Sequence, residues 1–202
     1  SSQDLRPQHI RFAGNNIRVT PELQIFRTSE GATFAIEICE DVWAPTPPSN
    51  HLALAGAEII FNLSTSDELI GKHTYLKSLL AQQSARTISG YVYSSSGFGE
   101  STQDVVFGGN ALIFENGSLV KQSERFQIDP QLVISEIDIE NLRSERRTNS
   151  TFVNAQRPVA SGLAGVTGQI DELALHVDCL PPLKPMREFT LTREFDQHPF
   201  IP

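Results

Sequence analysis

Two cysteines are all that this 202-residue chain contains, Cys39 and Cys179, and they lie 140 positions apart in different kinds of segment. That spacing indicates neither a disulfide framework nor a zinc-ligand pattern. Long apolar runs are also missing. Nothing approaches the roughly 18 residues that span a bilayer, and the opening SSQDLRPQ has neither the basic nor the apolar region of a signal sequence. A cytoplasmic setting is therefore expected, with no membrane partner. Positive charge is scarce: 16 Lys and Arg stand against 24 Asp and Glu, for a net charge of -8, which argues against nucleic acid or an anionic surface as the main partner. Lysine is absent until Lys72. No initiating methionine is present and the chain opens close to an expected strand, so it is read as a fragment. It has neither an internal repeat nor a low-complexity tract.

What is present is 39% apolar content, enough at this length for one cored domain or a domain with an appendage. Residues 10–12, 17–19 and 23–26 are expected as short strands, and 34–39 as the strand carrying the first thiol. Residues 51–55 read as a short helix ending near Gly56, 58–63 as the next strand, and 73–89 as a helix. In that helix Leu76, Leu79, Leu80 and Gln83 recur at three- and four-residue spacing, with Gly90 as the stop. Residues 91–94, 105–107 and 111–114 read as strands. Glu115, Asn116 and Gly117 then turn the chain into Leu119 and Val120, because Asn-Gly tolerates the positive backbone angles of a tight hairpin. Residues 132–139 close the globular part. Strand, helix, strand, helix, strand and then hairpins point to an α/β layered fold with helices over the outer face of a mixed sheet. Beyond Arg143 the run SERRTNSTFVNAQRP is polar and basic, and 161–171 holds three glycines, which is linker chemistry. The division expected is a domain over 1–150 and a linker over 151–202, whose proline-rich tail from Leu180 wraps a neighbouring domain or subunit.

The most informative segment is FAIEICEDVWAPTPPS, residues 34–49. Its apolar run suits a mostly buried strand, and Pro45, Pro47 and Pro48 force a turn, so Cys39 falls in the crevice at the carboxyl edge of a sheet, where α/β folds place ligands. Two readings are open: a small buried hydrophobe, the ordinary fate of a free cysteine, or a nucleophile. A nucleophile needs help, since free thiols are only a few per cent thiolate at neutral pH, and Glu40 and Asp41 directly behind Cys39 oppose ionisation. A self-contained mechanism would use His9, His51, His73, His176 or His198 as base; the spacing does not exclude it, but nothing in it enforces the ~3 Å approach that proton transfer requires. The nearest upstream acids are Glu22 and Glu30. Asp41 is expected to buttress the turn, and Trp43 to pack over the pocket wall or into the core. GFGEST, 97–102, reads as a well-bonded turn in preference to a channel lining. SGLAGVTGQ at Ser161 lacks the Gly-Lys-Ser/Thr ending of a phosphate loop and is set aside.

ICEDVWAPTPPS, FNLSTSDELIGK, YVYSSSGFGESTQDVVFGG and FENG, taken together, resemble the glutaminase domain of glutamine-dependent NAD synthetases, within the nitrilase (carbon-nitrogen hydrolase) superfamily. The resemblance runs from about residue 8 to 152, and the closing REFDQHPFIP is similar to the stretch leading into that family's synthetase domain. It implies a four-layer αββα sandwich of two sheets, of which this chain supplies roughly the second half. It also implies Cys39 as the nucleophile that forms a thioester with glutamine, and Glu40, Ser66 and Lys72 at the substrate's amino-acid end. An acid, a hydroxyl and a cation suit glutamine's ammonium and carboxylate, although Lys72 with Asp67 and Glu68 also fits a surface ion pair. The amide of Glu40 is the implied oxyanion donor. In this family a glutamate base and a lysine that stabilises the tetrahedral intermediate precede the nucleophile. No lysine does so here, which implies that the chain as given has no glutaminase activity. The ammonia would serve ATP-dependent amidation of deamido-NAD to NAD. The SGGxDS-type nucleotide motif of that step is not in these residues, so ATP and magnesium belong to the parent protein and no cofactor is expected in this segment. Glutamine, the synthetase domain of the same protein and further copies in a homo-oligomer are the implied partners. Two rivals remain: a stand-alone amidase or carbamoylase using the same Cys39, and a non-catalytic interaction module in which Cys39 is inert.

Overall fold

Alternation along the strands decides how the chain layers. In β4 (Thr33–Ile38) Thr33, Ala35 and Glu37 are buried while Phe34, Ile36 and Ile38 point the other way, and in β5 (Ile59–Ser64) Ile60, Asn62 and Ser64 are buried while Ile59, Phe61 and Leu63 are not. The computed structural model describes residues 8–20, 22–100, 104–160 and 171–174. The remaining elements are β1 (Gln8–Phe12), β2 (Asn15–Val19), β3 (Gln24–Arg27), a 3-10 helix (Cys39–Trp43), α1 (Pro48–Leu54), α2 (Lys72–Thr87), β6 (Gly90–Ser95), β7 (Ala111–Glu115), β8 (Ser118–Gln122), α3 (Ile139–Thr148), α4 (Ser150–Ala160) and β9 (Asp171–Ala174).

Seven strands form one mixed sheet in the order β8-β7-β6-β5-β4-β3-β9, and β1 and β2 make a separate hairpin. The centre, β4-β5-β6, is parallel and joined by α1 and α2, as parallel neighbours require a crossover. β3, β7 and β8 pair antiparallel with their inner neighbours, and β9 lies parallel to β3. The covered face carries the main core, in which Ala35, Ile60, Tyr91, Tyr93, Leu112 and Phe114 meet Leu52 of α1 and Leu76 and Leu80 of α2. On the opposite face Ile36, Ile38 and Leu63 are 42%, 56% and 51% exposed. The described residues thus give a mixed α/β architecture of one helical layer on one sheet, half of the four layers expected. Among them no helix is long and apolar enough to cross a membrane.

Several elements depart from the sequence reading, each for a visible reason. Gly90 does not stop α2: Thr87 is its last residue, Ile88 takes the left-handed conformation at φ 45°, and Gly90 already begins β6. Gly90 is needed for space, since a Cβ there would sit 2.6 Å from Ile137 Cδ1. Residues 105–107 are not a strand; Phe107 alone pairs, in an isolated bridge to Asp67. The Asn116-Gly117 hairpin is as expected, with both residues at positive φ. The polar run after Arg143 is helical: α3 and α4 form a second small core in which Leu142 and Phe152 pack on Ile88, Leu54 and Ile137. One of its arginines reaches inward, while Arg147 and Arg157 are exposed. Arg146 donates to the carbonyl oxygens of Ala57, Thr87 and Ile88 at 2.7, 3.0 and 2.9 Å, and lies over the Phe152 ring. The body therefore continues past residue 150. The short strand β9 was also unforeseen. The expectations for 161–170 and for the tail from Leu180 lie outside the described residues.

Candidate active site

β4 delivers Cys39 to the carboxyl edge of the parallel strands, where it opens the 3-10 helix at φ 45°. A residue with a Cβ costs roughly 1–2 kcal/mol in that left-handed region, so the surroundings must hold it. Asp41 does so in the way expected of it, its Oδ2 accepting from Ile38 N at 2.8 Å, and Ala44 N closes the turn on Asp41 O at 3.2 Å. From below, Asn62 Nδ2 donates to the Cys39 carbonyl oxygen at 3.4 Å. The thiol is half-buried and free, so it is neither sealed in the core nor cross-linked.

The three residues expected at the substrate's amino-acid end belong to segments converging on this edge. Glu40 follows Cys39 and is exposed. Ser66 lies on the loop leaving β5, its amide donating to Ser95 Oγ at 3.2 Å across to β6. Lys72 starts α2 and sends its Nζ to Asp67 O at 2.7 Å and Asp67 Oδ1 at 2.8 Å. Its ammonium beside Asp67 holds that carboxyl below the usual carboxylate range. Two of its three N–H donors are used in this way, which realises the ion-pair reading for Asp67. Glu68 instead takes Arg125 at 2.9 Å and Asn110. Trp43 joins the two halves of the edge: its ring stacks on Tyr75 with centroids 5.5 Å apart, and Lys72 Nζ lies 5.8 Å from its centroid. A cavity of about 260 Å³ at the end of β6 is lined by Ser95, Gly97, Phe98, Asn110 and the 127–131 segment, and by none of Cys39, Glu40, Ser66 or Lys72. The 97–102 loop folds as a turn, with Glu100 N donating to Gly97 O and Ser96 Oγ to Glu100 Oε2, as far as its described residues reach.

No histidine serves Cys39 among the described residues. His9 is exposed on β1 and His51 lies in the last turn of α1. His73 is turned toward Glu68 and Arg125; burial, and then the Arg125 charge, push its imidazole below the usual histidine range. His176 and His198 lie outside the described residues. The upstream acids fare no better. Glu22 pairs with Arg18 at 3.0 Å. Glu30 precedes β4 at the end away from Cys39, some 20 Å off for a six-residue strand at ~3.3 Å per residue.

Sequence reasoning missed what lies under the turn. Glu37, two residues before Cys39, is 2% exposed, and its carboxylate accepts from Ser49 N at 3.0 Å and from the Tyr91 hydroxyl. Tyr91 in turn accepts from Asn62 Nδ2 at 3.3 Å, and Asn62 Oδ1 accepts from Ser64 Oγ at 2.8 Å. Gln83, read only as part of a helical stripe, donates to Ser49 Oγ and Asn50 Oδ1 at 2.9 and 2.8 Å, tying α2 to α1 beneath Glu37. The available signal was a carboxylate on the same strand face as buried Ala35. Among the described residues no cluster of three metal-ligating side chains occurs.

The half-buried thiol sits on a left-handed strand-end turn at the carboxyl edge of a parallel sheet, the edge at which α/β folds place ligands, and the sequence comparison supplies the class. The carbon-nitrogen hydrolase family model matches residues 10–147, and the chain belongs to that family. Among named relatives it is 36% identical over 196 residues to the glutamine-dependent NAD(+) synthetase of Mycobacterium tuberculosis, covering 96% of this chain and 27% of that protein. With the Mycobacterium leprae enzyme of the same name it shares 38% over 172 residues, 85% of this chain and 24% of that one. The chain thus spans about a quarter of the length of these relatives. In three dimensions it is similar to a carbon-nitrogen hydrolase from Helicobacter pylori, with a TM-score of 0.54 at 17% identity over 67% of this chain and 50% of that one. A CN-hydrolase superfamily protein from Xanthomonas campestris gives 0.51 at 12% identity over 74% and 50%. The fold is that of the nitrilase superfamily.

Proposed function

We propose that Cys39 attacks the side-chain amide carbon of glutamine in the glutaminase portion of a longer, cytoplasmic glutamine-dependent NAD synthetase. The thiol proton passes to a base, the Sγ–C bond forms, and the C–N bond breaks as ammonia leaves with a proton. Water then cleaves the thioester, giving glutamate and the free thiol. Glu40 N–H lies at the start of the 3-10 helix, where amides lack intrahelical acceptors, and donates to the oxyanion. Glu40, Ser66 and Lys72 hold glutamine's ammonium and carboxylate. The base and the stabilising lysine come from chain outside these residues, and the ammonia goes to an ATP- and magnesium-dependent synthetase domain that amidates deamido-NAD, within a homo-oligomer.

The observation that carries this reading is the 36% identity over nearly the whole chain to a protein named for glutamine and NAD, with Cys39 on its left-handed turn. The test is labelling of Cys39 by an electrophilic glutamine analogue in the full-length protein. Covalent modification at Cys39, prevented by glutamine and absent in Cys39→Ala, is expected. An unlabelled Cys39 in a protein that still makes NAD from glutamine would sink the proposal. Residues 1–202 alone are expected to release no ammonia from glutamine.

A further inference from the structure

We infer that Glu37, Tyr91 and Asn62 form a buried positioning relay that fixes the nucleophile's turn by holding the Cys39 carbonyl. The inference rests on the proposed role of Cys39, and goes beyond it by assigning three residues that do not touch substrate.

With Glu37 as a carboxylate, the direction of each hydrogen in the relay follows from its neighbours. A carboxylate accepts only, and Glu37 takes Ser49 N–H on Oε2 and the Tyr91 hydroxyl on Oε1. With its proton spent on Glu37, the Tyr91 oxygen must accept, and it receives one Asn62 N–H. Burial, reinforced by the Glu37 charge, pushes the Tyr91 hydroxyl far above the usual tyrosine range, so it remains a donor. Ser64 occupies Asn62 Oδ1, which leaves the second Asn62 N–H for Cys39 O. A flipped Asn62 would set its oxygen against two acceptors. Asn62 is 0% and Tyr91 0% exposed, so water cannot substitute for a lost partner. The carbonyl so gripped belongs to the residue at φ 45°, whose peptide plane also orients the Glu40 N–H.

Glu37→Gln keeps the shape and reverses the relay. Ser49 N–H cannot turn away, so the new amide oxygen faces it and the new NH2 faces Tyr91. The Tyr91 hydroxyl must then donate to residue 62, which flips and presents oxygen to the Cys39 carbonyl. A purely structural Glu37 predicts little harm, because the substitution removes a buried charge. A positioning relay predicts misaimed reacting atoms, at about 100-fold per ångström.

The experiment is steady-state glutamine hydrolysis by the full-length protein, with melting curves, for wild type, Glu37→Gln, Tyr91→Phe and the double variant. Expected are a kcat about 30- to 100-fold lower in each single variant, KM within about threefold, melting shifted by less than about 5 °C, and a double variant no worse than the poorer single. A kcat within threefold of wild type in Tyr91→Phe or in a folded Glu37→Gln overturns the inference, as do losses that multiply in the double variant. If Glu37→Gln does not fold, Tyr91→Phe decides alone. A wild type that releases no ammonia removes instead the reading on which the inference stands.

Discussion

Arg143→Met tests how the second core is fastened to the sheet. Glu58, just ahead of β5 and 7% exposed, accepts from Thr33 N at 2.9 Å and from Nε and Nη2 of Arg143, while the same guanidinium donates to Gly31 O at 2.8 Å. One side chain of α3 therefore ties together the turn before β4 and the start of β5. Methionine keeps the apolar stem and deletes these bonds. Breaking a buried pair costs about 3–5 kcal/mol, and because Arg143 is 33% exposed solvent screening reduces the expected loss to about 2 kcal/mol at pH 7. Its further pairing with Glu140, whose side chain is 75% exposed, adds little. Burial alone would raise the Glu58 carboxyl, but the Arg143 and Thr33 hydrogen bonds outweigh it and hold the group below the usual 4.5. A carboxylate with a lowered folded value contributes stability above its unfolded value and loses it as pH falls through the folded one. The cost of Arg143→Met must accordingly shrink below about pH 4.5. The assay is urea unfolding of Arg143→Met, Glu58→Gln and the double variant at pH 7 and pH 3. A coupling of about 1.5–2 kcal/mol at pH 7 that is smaller at pH 3 is expected. Coupling under about 0.5 kcal/mol at pH 7, or equal at both values, refutes the reasoning.

Two further outcomes follow from backbone geometry. At φ 45° the usual preference for alanine over glycine reverses, so Cys39→Gly should be more stable to urea than Cys39→Ala by about 0.5–1 kcal/mol; an alanine variant the more stable of the two contradicts the strained turn. Gly117 has φ 88° and a Cβ there would sit 2.9 Å from Ala85 Cβ, whereas Gly14 has φ 80° and open space around it. Gly117→Ala should therefore cost about 2 kcal/mol against about 1 for Gly14→Ala, and equal shifts in melting temperature would deny the close approach of the β7-β8 hairpin to α2.

Local signals explain which parts were legible. The strand end at Cys39, the Asp41 buttress, the start of α2 near Lys72 and the Asn116-Gly117 turn are written in neighbouring residues. The run after Arg143 misled because its arginines look solvated, while Arg146 reaches three backbone carbonyls and is buried deeply enough that its guanidinium is pushed down to about 10. Residues 105–107 have strand composition but find one bridge partner.

By itself the sequence determined the superfamily motifs, the alternating strands and the position of the thiol at a strand end, because each depends on residues close together in the chain. Only the tertiary structure decided that Glu37 faces Tyr91 and Ser49, that Asn62 grips the Cys39 carbonyl, and that Trp43 meets Lys72. Those partners are brought together by strand register and helix packing across 12 to 54 positions, and a buried polar group reveals its role only when the atoms that satisfy it are known.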